Sequence, residues 1–118
     1  MSDNENIILK KSYDFAIRIV KMYRHLSVEK KEYVLSKQVL RSGTSIGANV
    51  EEAIGGISKA DFKAKMGIAY KEARETDYWL RLLNDTDYLE KEAFYSIRSD
   101  LTELLKILFS IIKSSNNK

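Results

Sequence analysis

Residues 41–80 read RSGTSIGANVEEAIGGISKADFKAKMGIAYKEARETDYWL, and their spacing decides the fold. Ser42, Ile46, Val50 and Ala53 recur at steps of four, four and three, with Val39 and Leu35 one and two turns earlier. That period predicts a helix over 32–55 with one apolar face. Beside this face Leu40, Gly43, Gly47 and Ile54 form a second strip of apolar and small residues. Each Gly inside a helix costs ~1 kcal/mol against Ala. Two of them a turn apart therefore imply that another helix approaches closely. Gly55-Gly56 supplies the stop, with a residue free to enter the left-handed region as a C-cap. Ser58-Lys59-Ala60-Asp61 fits the next start, Ser58 capping a free N–H and Asp61 favoured by the helix dipole. Phe62, Met66, Ala69, Ala73, Thr76, Leu80 and Leu83 then line one face of a helix over 59–84.

The same period extends outward on both sides. Over 7–26, Ile8, Ser12, Phe15, Ala16, Ile19, Met22, Tyr23 and Leu26 share one face. SVEKKE at 27–32 reads as the connection, and NDTDYLE at 84–90 as a turn cluster. Over 90–114, Phe94, Ile97, Leu101, Leu104, Leu105, Leu108, Ile111 and Ile112 point inward, and the tail SSNNK is expected to fray. Short connections force antiparallel neighbours, so the chain 1–118 reads as one all-α domain, an up-down-up-down four-helix bundle.

Composition agrees with that reading. In 118 residues there is no Pro and no Cys, one His and five Gly. Average usage would supply about six prolines, so uninterrupted helices are favoured. Without Cys there is no disulfide framework, and a lone His leaves little metal chemistry. No cofactor is expected. No stretch reaches the ~18 apolar residues of a membrane span. The acidic N-terminus has the wrong order for a secretory signal, and the expected location is cytoplasmic.

Net charge is only +3, but its distribution is polarised. Residues 10–31 hold seven bases, Lys10, Lys11, Arg18, Lys21, Arg24, Lys30 and Lys31, against two acids. Residues 85–103 hold six acids against two bases. The basic stripe on the first helix could track a phosphate backbone, although no aromatic platform accompanies it for base stacking. It could equally be solvated, or meet the acidic stretch of a neighbouring subunit. Apolar residues also exceed the needs of one bundle. Tyr13 and Ile17 on the first helix, the Leu40/Gly43/Gly47/Ile54 strip, and Ile107 and Phe109 in LLKILFSII lie outside the main stripes. Such helices are usually buried on more than one side, which points to a subunit interface.

The stretch 41–80 resembles a known family, the bacterial four-helix-bundle proteins first met as open reading frames in intervening sequences of large-subunit ribosomal RNA genes. The matching residues are Arg41-Ser42, Ser45-Ile46, Ala48-Asn49, Glu52, Ser58, Asp61-Phe62, Ile68-Ala69, Glu75 and Leu80. Accessory proteins of diversity-generating retroelements are related. Many members close the second helix with Ala-Glu-Gly and follow Ile-Ala in the third with Gly-Ser; here Ile54-Gly55 follows Glu52-Ala53, and Lys71-Glu72 stands in the third. The resemblance implies a ring-like homopentamer without enzymatic activity, associated with RNA or DNA.

Within the matched stretch Arg41, Ser45, Asn49 and Glu52 share a polar face. It suits either a phosphate or partner site, or a hydrogen-bonded ladder that fixes helix register; the second is the simpler account. Arg18 and His25 carry a superficial likeness to helical ribonucleases, but both fall on the solvent face of the first helix. Di-iron chemistry needs Glu-x-x-His motifs, and none occurs. No catalytic constellation and no small-molecule substrate emerge.

Overall fold

A computed structural model of the chain describes residues 1–116. Helix α1 runs Asp3–Arg24, α2 Leu35–Ile54, α3 Lys59–Asp85 and α4 Lys91–Asn116. No strand occurs among the described residues. α1 packs on α2 and α4, and α3 packs on the same two. The molecule is a rod of 46 × 21 × 19 Å.

The ends of the helices are where the structure departs from periodicity. α1 begins four residues earlier than expected, because the polar segment before Ile7 is a capping box. The Ser2 hydroxyl accepts from the Glu5 amide at 3.2 Å, and the Glu5 carboxylate accepts from the Ser2 amide at 2.9 Å. Asp3 and Glu5 also place negative charge at the positive end of the helix. Beyond Arg24 the expected connection instead starts with one π-helical turn, His25–Glu29. The Ser27 hydroxyl donates to the Tyr23 carbonyl at 2.8 Å, a side-chain bond that competes with the regular ladder. The wider turn keeps Leu26 fully buried.

α2 starts at Leu35 rather than at 32, because Glu32 caps the helix from outside. Its carboxylate accepts from the Ser36 amide at 2.7 Å and the Val34 amide at 3.3 Å. Its carbonyl accepts from the Ser36 hydroxyl at 2.6 Å. α2 ends at Gly55 as its spacing requires, but Gly55 has φ −82° and no left-handed glycine is used. The left-handed positions are Lys31, φ 55°, and Asp87, φ 67°, in the other two turns. Ser58 caps α3 as expected, accepting from the Asp61 amide at 3.0 Å. α4 continues in helical form through Ser114 and Ser115 to Asn116, where fraying was expected; the rest of that tail, residues 117–118, lies outside the described residues.

The four inward stripes meet in one core. Phe15, Ile19, Ile46, Met66, Leu80, Leu101 and Leu108 are among the fully buried side chains. Ser12, Ser36, Ser42 and Thr76 are buried polar residues within it, the last two facing each other from α2 and α3. Their hydroxyls share a buried hydrogen bond of 3.0 Å, and Thr76 also donates to the Glu72 carbonyl at 2.7 Å. No buried side-chain nitrogen or oxygen among the described residues lacks a partner.

Gly43 and Gly47 do admit a second helix, and that helix is α1 of the same chain. A methyl group on Gly43 would sit 2.7 Å from Ile19 Cγ1, and one on Gly47 would sit 3.2 Å from the Ser12 carbonyl oxygen. The expectation that this pair lines a subunit surface is therefore corrected: both glycines are buried inside the bundle. Gly67, in the middle of α3, has nothing within 4 Å of such a methyl. Gly67→Ala should gain about 0.5–1 kcal/mol from helix propensity alone. Gly43→Ala should instead lose about 1–3 kcal/mol through overpacking against Ile19, and Ile19→Val should recover part of that loss. Urea unfolding midpoints of the three variants check the signs, and a stabilised Gly43→Ala would refute the contact.

Candidate nucleic-acid interface

The seven bases singled out on and after the first helix divide into two groups. Lys10 pairs with Asp14 at 2.6 Å on its own helix, Lys11 with Glu103 at 2.6 Å, and Arg18 with Asp100 at 2.7 Å. Arg18 also donates to the Ser96 hydroxyl at 3.0 Å. Two acids of the stretch that could have met this stripe on another subunit, Asp100 and Glu103, thus meet it within the chain, across the α1–α4 contact. The bond from Lys11 to Glu103 and the attraction between them raise the lysine pKa. Lys21, Arg24, Lys30 and Lys31 have no ion-pair partner among the described residues. All four belong to the last turn of α1 and the connection after it. His25 contacts Glu29 at 3.1 Å and Arg18 is tied to α4, so these two do not converge on a common point.

The polar face of α2 is a ladder onto α3. Arg41 donates to Glu72 at 3.1 Å and to Glu75, and Glu52 accepts from Lys65 at 3.1 Å. Asn49 donates to the Ser45 carbonyl at 2.8 Å. Glu75 in turn accepts from the Trp79 indole N–H at 3.0 Å. These contacts tie Arg41 and Glu52 to α3 and Asn49 to its own helix, and Trp79 packs edge-on against Tyr78.

The apolar residues proposed for an interface lie on different sides of the bundle. Tyr13 and Ile17 are exposed on α1. Leu40 and Ile54 are half-buried on the flank of α2 turned toward α1. Ile107 is half-buried, whereas Phe109 is exposed and stands 6.3 Å, ring to ring, from Tyr70 of α3.

That last contact opens onto a surface the sequence did not single out. A shallow groove of about 510 Å³ runs between the outer flanks of α3 and α4, past Tyr70, Arg74, Tyr95, Arg98 and Thr102. Its carboxylate, Asp77, is bridged by Arg98 at 2.9 Å and Arg81 at 3.1 Å. On α4, Tyr95, Ser99, Thr102, Lys106, Phe109 and Lys113 follow at alternating steps of four and three, so they form one exposed row. The row was legible as i, i+4, i+7 spacing. It was hidden by the acid count of residues 85–103, whose acids Asp100 and Glu103 face α1 instead.

A larger cleft of about 910 Å³ lies at the end of the rod formed by the N-terminal turn, the α2–α3 connection and Ile111. Its Ser2, Glu5 and Ser58 are already spent on helix caps. Among the described residues no group of three His, Cys, Asp or Glu is placed to hold a metal ion. No helix of the described residues is long and apolar enough to cross a membrane.

The indole bond from Trp79 has the largest effect on the Glu75 carboxyl; burial opposes it, and with the added pull of Arg41 the group is held below its ordinary range. A depressed folded pKa stabilises the fold above the unfolded value, about 4.3, and that contribution disappears as pH falls through the folded pKa. Because the pair is partly solvated, Glu75→Gln should cost only about 1 kcal/mol near neutral pH. The gap in urea midpoint between wild type and this variant should narrow as the pH is lowered through the acid range. A gap that stays constant would refute the assignment.

A solved structure with the same fold comes from Bacteroides thetaiotaomicron, a protein of unknown function from the S23 ribosomal protein family. It is 55% identical, covers 93% of this chain and 98% of its own, and superposes with a TM-score of 0.92. No curated protein matches the chain. The model of the 23S rRNA-intervening sequence protein family matches residues 4–110. With that match over nearly its whole length, the four-helix chain belongs to the 23S rRNA-intervening sequence protein family.

Proposed function

We propose that this chain is a non-enzymatic, nucleic-acid-associated accessory protein that works as a homo-oligomer in the cytoplasm. The carrying observation is the group of Lys21, Arg24, Lys30 and Lys31, at the end of α1 and the turn beyond it, none with an ion-pair partner among the described residues. Phosphate contacts from such residues supply affinity without sequence preference and release counterions. The resemblance supplies the ring-like pentamer, and exposed Tyr13 and Ile17 on α1 support burial against a second copy. Repeating a weak cationic site around a ring multiplies its effect on one long strand. The up-down-up-down arrangement draws support from pair numbering: Lys11 meets Glu103 while Arg18 meets Asp100, and Arg41 meets Glu75 while Glu52 meets Lys65.

A second reading has its own support. Asp85, Asp87, Glu90 and Glu92 are exposed in and beside the α3–α4 turn. One copy's basic turn could meet another's acidic turn, making the charge a device for assembly alone. Labelled RNA and DNA shift assays at ~50 and ~200 mM salt separate the two readings. The first predicts a salt-steep shift that disappears when Lys21, Arg24, Lys30 and Lys31 are all changed to Glu, with solution mass unchanged. If the reversed chain falls apart by sedimentation instead, the assembly reading stands. A monomeric wild type would remove the ring.

A further inference from the structure

The outer α3–α4 face combines two features. The first is aromatic: Tyr95 is 63% and Phe109 56% exposed, with Tyr70 half-buried between them and the core. Tyr95 touches the Phe94 ring and Phe109 the Tyr70 ring, yet both side chains stay largely open to solvent. The second is charge. Arg74, Lys106 and Lys113 are exposed and have no ion-pair partner among the described residues. The groove's carboxylate is already covered by two arginines.

Helical spacing interleaves the two. From Tyr95 to Lys113 the row alternates ring, hydroxyl, hydroxyl, cation, ring and cation along about 27 Å of helix at 1.5 Å per residue. The rings and arginines alone would suit a second copy of this chain, but Lys106 and Lys113 would have to be buried with them, and the centres of protein interfaces are depleted of Lys. A polyanion with flat faces suits it: phosphates meet the cations while bases stack on rings, which is how single strands are held without a sequence code. The hydroxyls of Ser99, Thr102 and Tyr95 stand beside these platforms and can exchange hydrogen bonds with a ribose 2′-OH, the group that separates RNA from DNA. Duplex RNA keeps its bases stacked inward and offers no such faces.

Resting on the nucleic-acid reading above but placing its contacts on a different surface, we propose that the α3–α4 face binds single-stranded RNA. Bases stack on Tyr95 and Phe109, and the backbone runs past Arg74, Lys106 and Lys113. Strand binding here leaves the α1–α2 turn free for phosphates further along.

Fluorescence anisotropy of the full chain with a labelled oligouridine, the matching DNA oligomer and an RNA duplex tests this. Tyr95→Leu with Phe109→Leu keeps apolar bulk and removes the stacking faces at exposed positions. This variant should weaken single-stranded RNA binding about tenfold or more while leaving the salt slope unchanged. Phe109→Trp should retain binding. Arg74→Ala with Lys106→Ala and Lys113→Ala should lower the salt slope by about 2, three phosphates at ~0.7 each. Unchanged RNA affinity in the Leu variant overturns the proposal while the nucleic-acid reading survives on the α1–α2 turn. No binding by wild type overturns both. Equal affinity for the DNA oligomer overturns the choice of RNA, tighter duplex binding overturns stacking, and a changed oligomer mass in the Leu variant makes the face a self-interface.

Discussion

The close approach of α1 to α2 over Gly43 and Gly47 is the constraint on which the rest of the structure depends. At these two positions the backbone of α2 lies against Ile19 and against the Ser12 carbonyl, leaving no room for a side chain. With α1 seated there, Phe15 and Ile19 reach the centre of the core, and the opposite flank of α1 faces α4. That placement brings Lys11 and Arg18 to Glu103 and Asp100. The glycines cost α2 helix propensity, and the offset is dense packing along its length.

On the other flank of α2 a polar device takes over. Arg41 spans to Glu72 and Glu75, Glu52 to Lys65, and Ser42 meets Thr76 inside the core. Of these, the Ser42–Thr76 pair is buried and punishes a slipped register, because a shift would leave its atoms without partners, whereas the exposed Arg41 and Glu52 pairs add little. α2 is thus held by shape on one side and by hydrogen bonds on the other.

α4 divides its charge in a way no count along the chain can express. Asp100 and Glu103 project toward α1 and neutralise two of its bases. Lys106 and Lys113 lie on the row that carries Tyr95 and Phe109. The stretch is acidic by composition and two-sided by geometry. The same division explains why Lys11 and Arg18, prominent in sequence, are engaged, whereas Lys21, Arg24, Lys30 and Lys31 are not.

By itself the sequence determined four helices, their inward faces and the need for close packing at Gly43 and Gly47, because the 3.6-residue period and the cost of glycine are local properties. It was less informative about helix ends. Ser2, Ser27 and Glu32 act through single hydrogen bonds to nearby backbone, and such bonds leave no period to detect. Only the tertiary structure decided which helix covers the glycines, which bases are paired and which rings and cations share a face. Each of these depends on how two helices separated by tens of residues are rotated about their axes, and that rotation is set by core packing summed over the whole bundle.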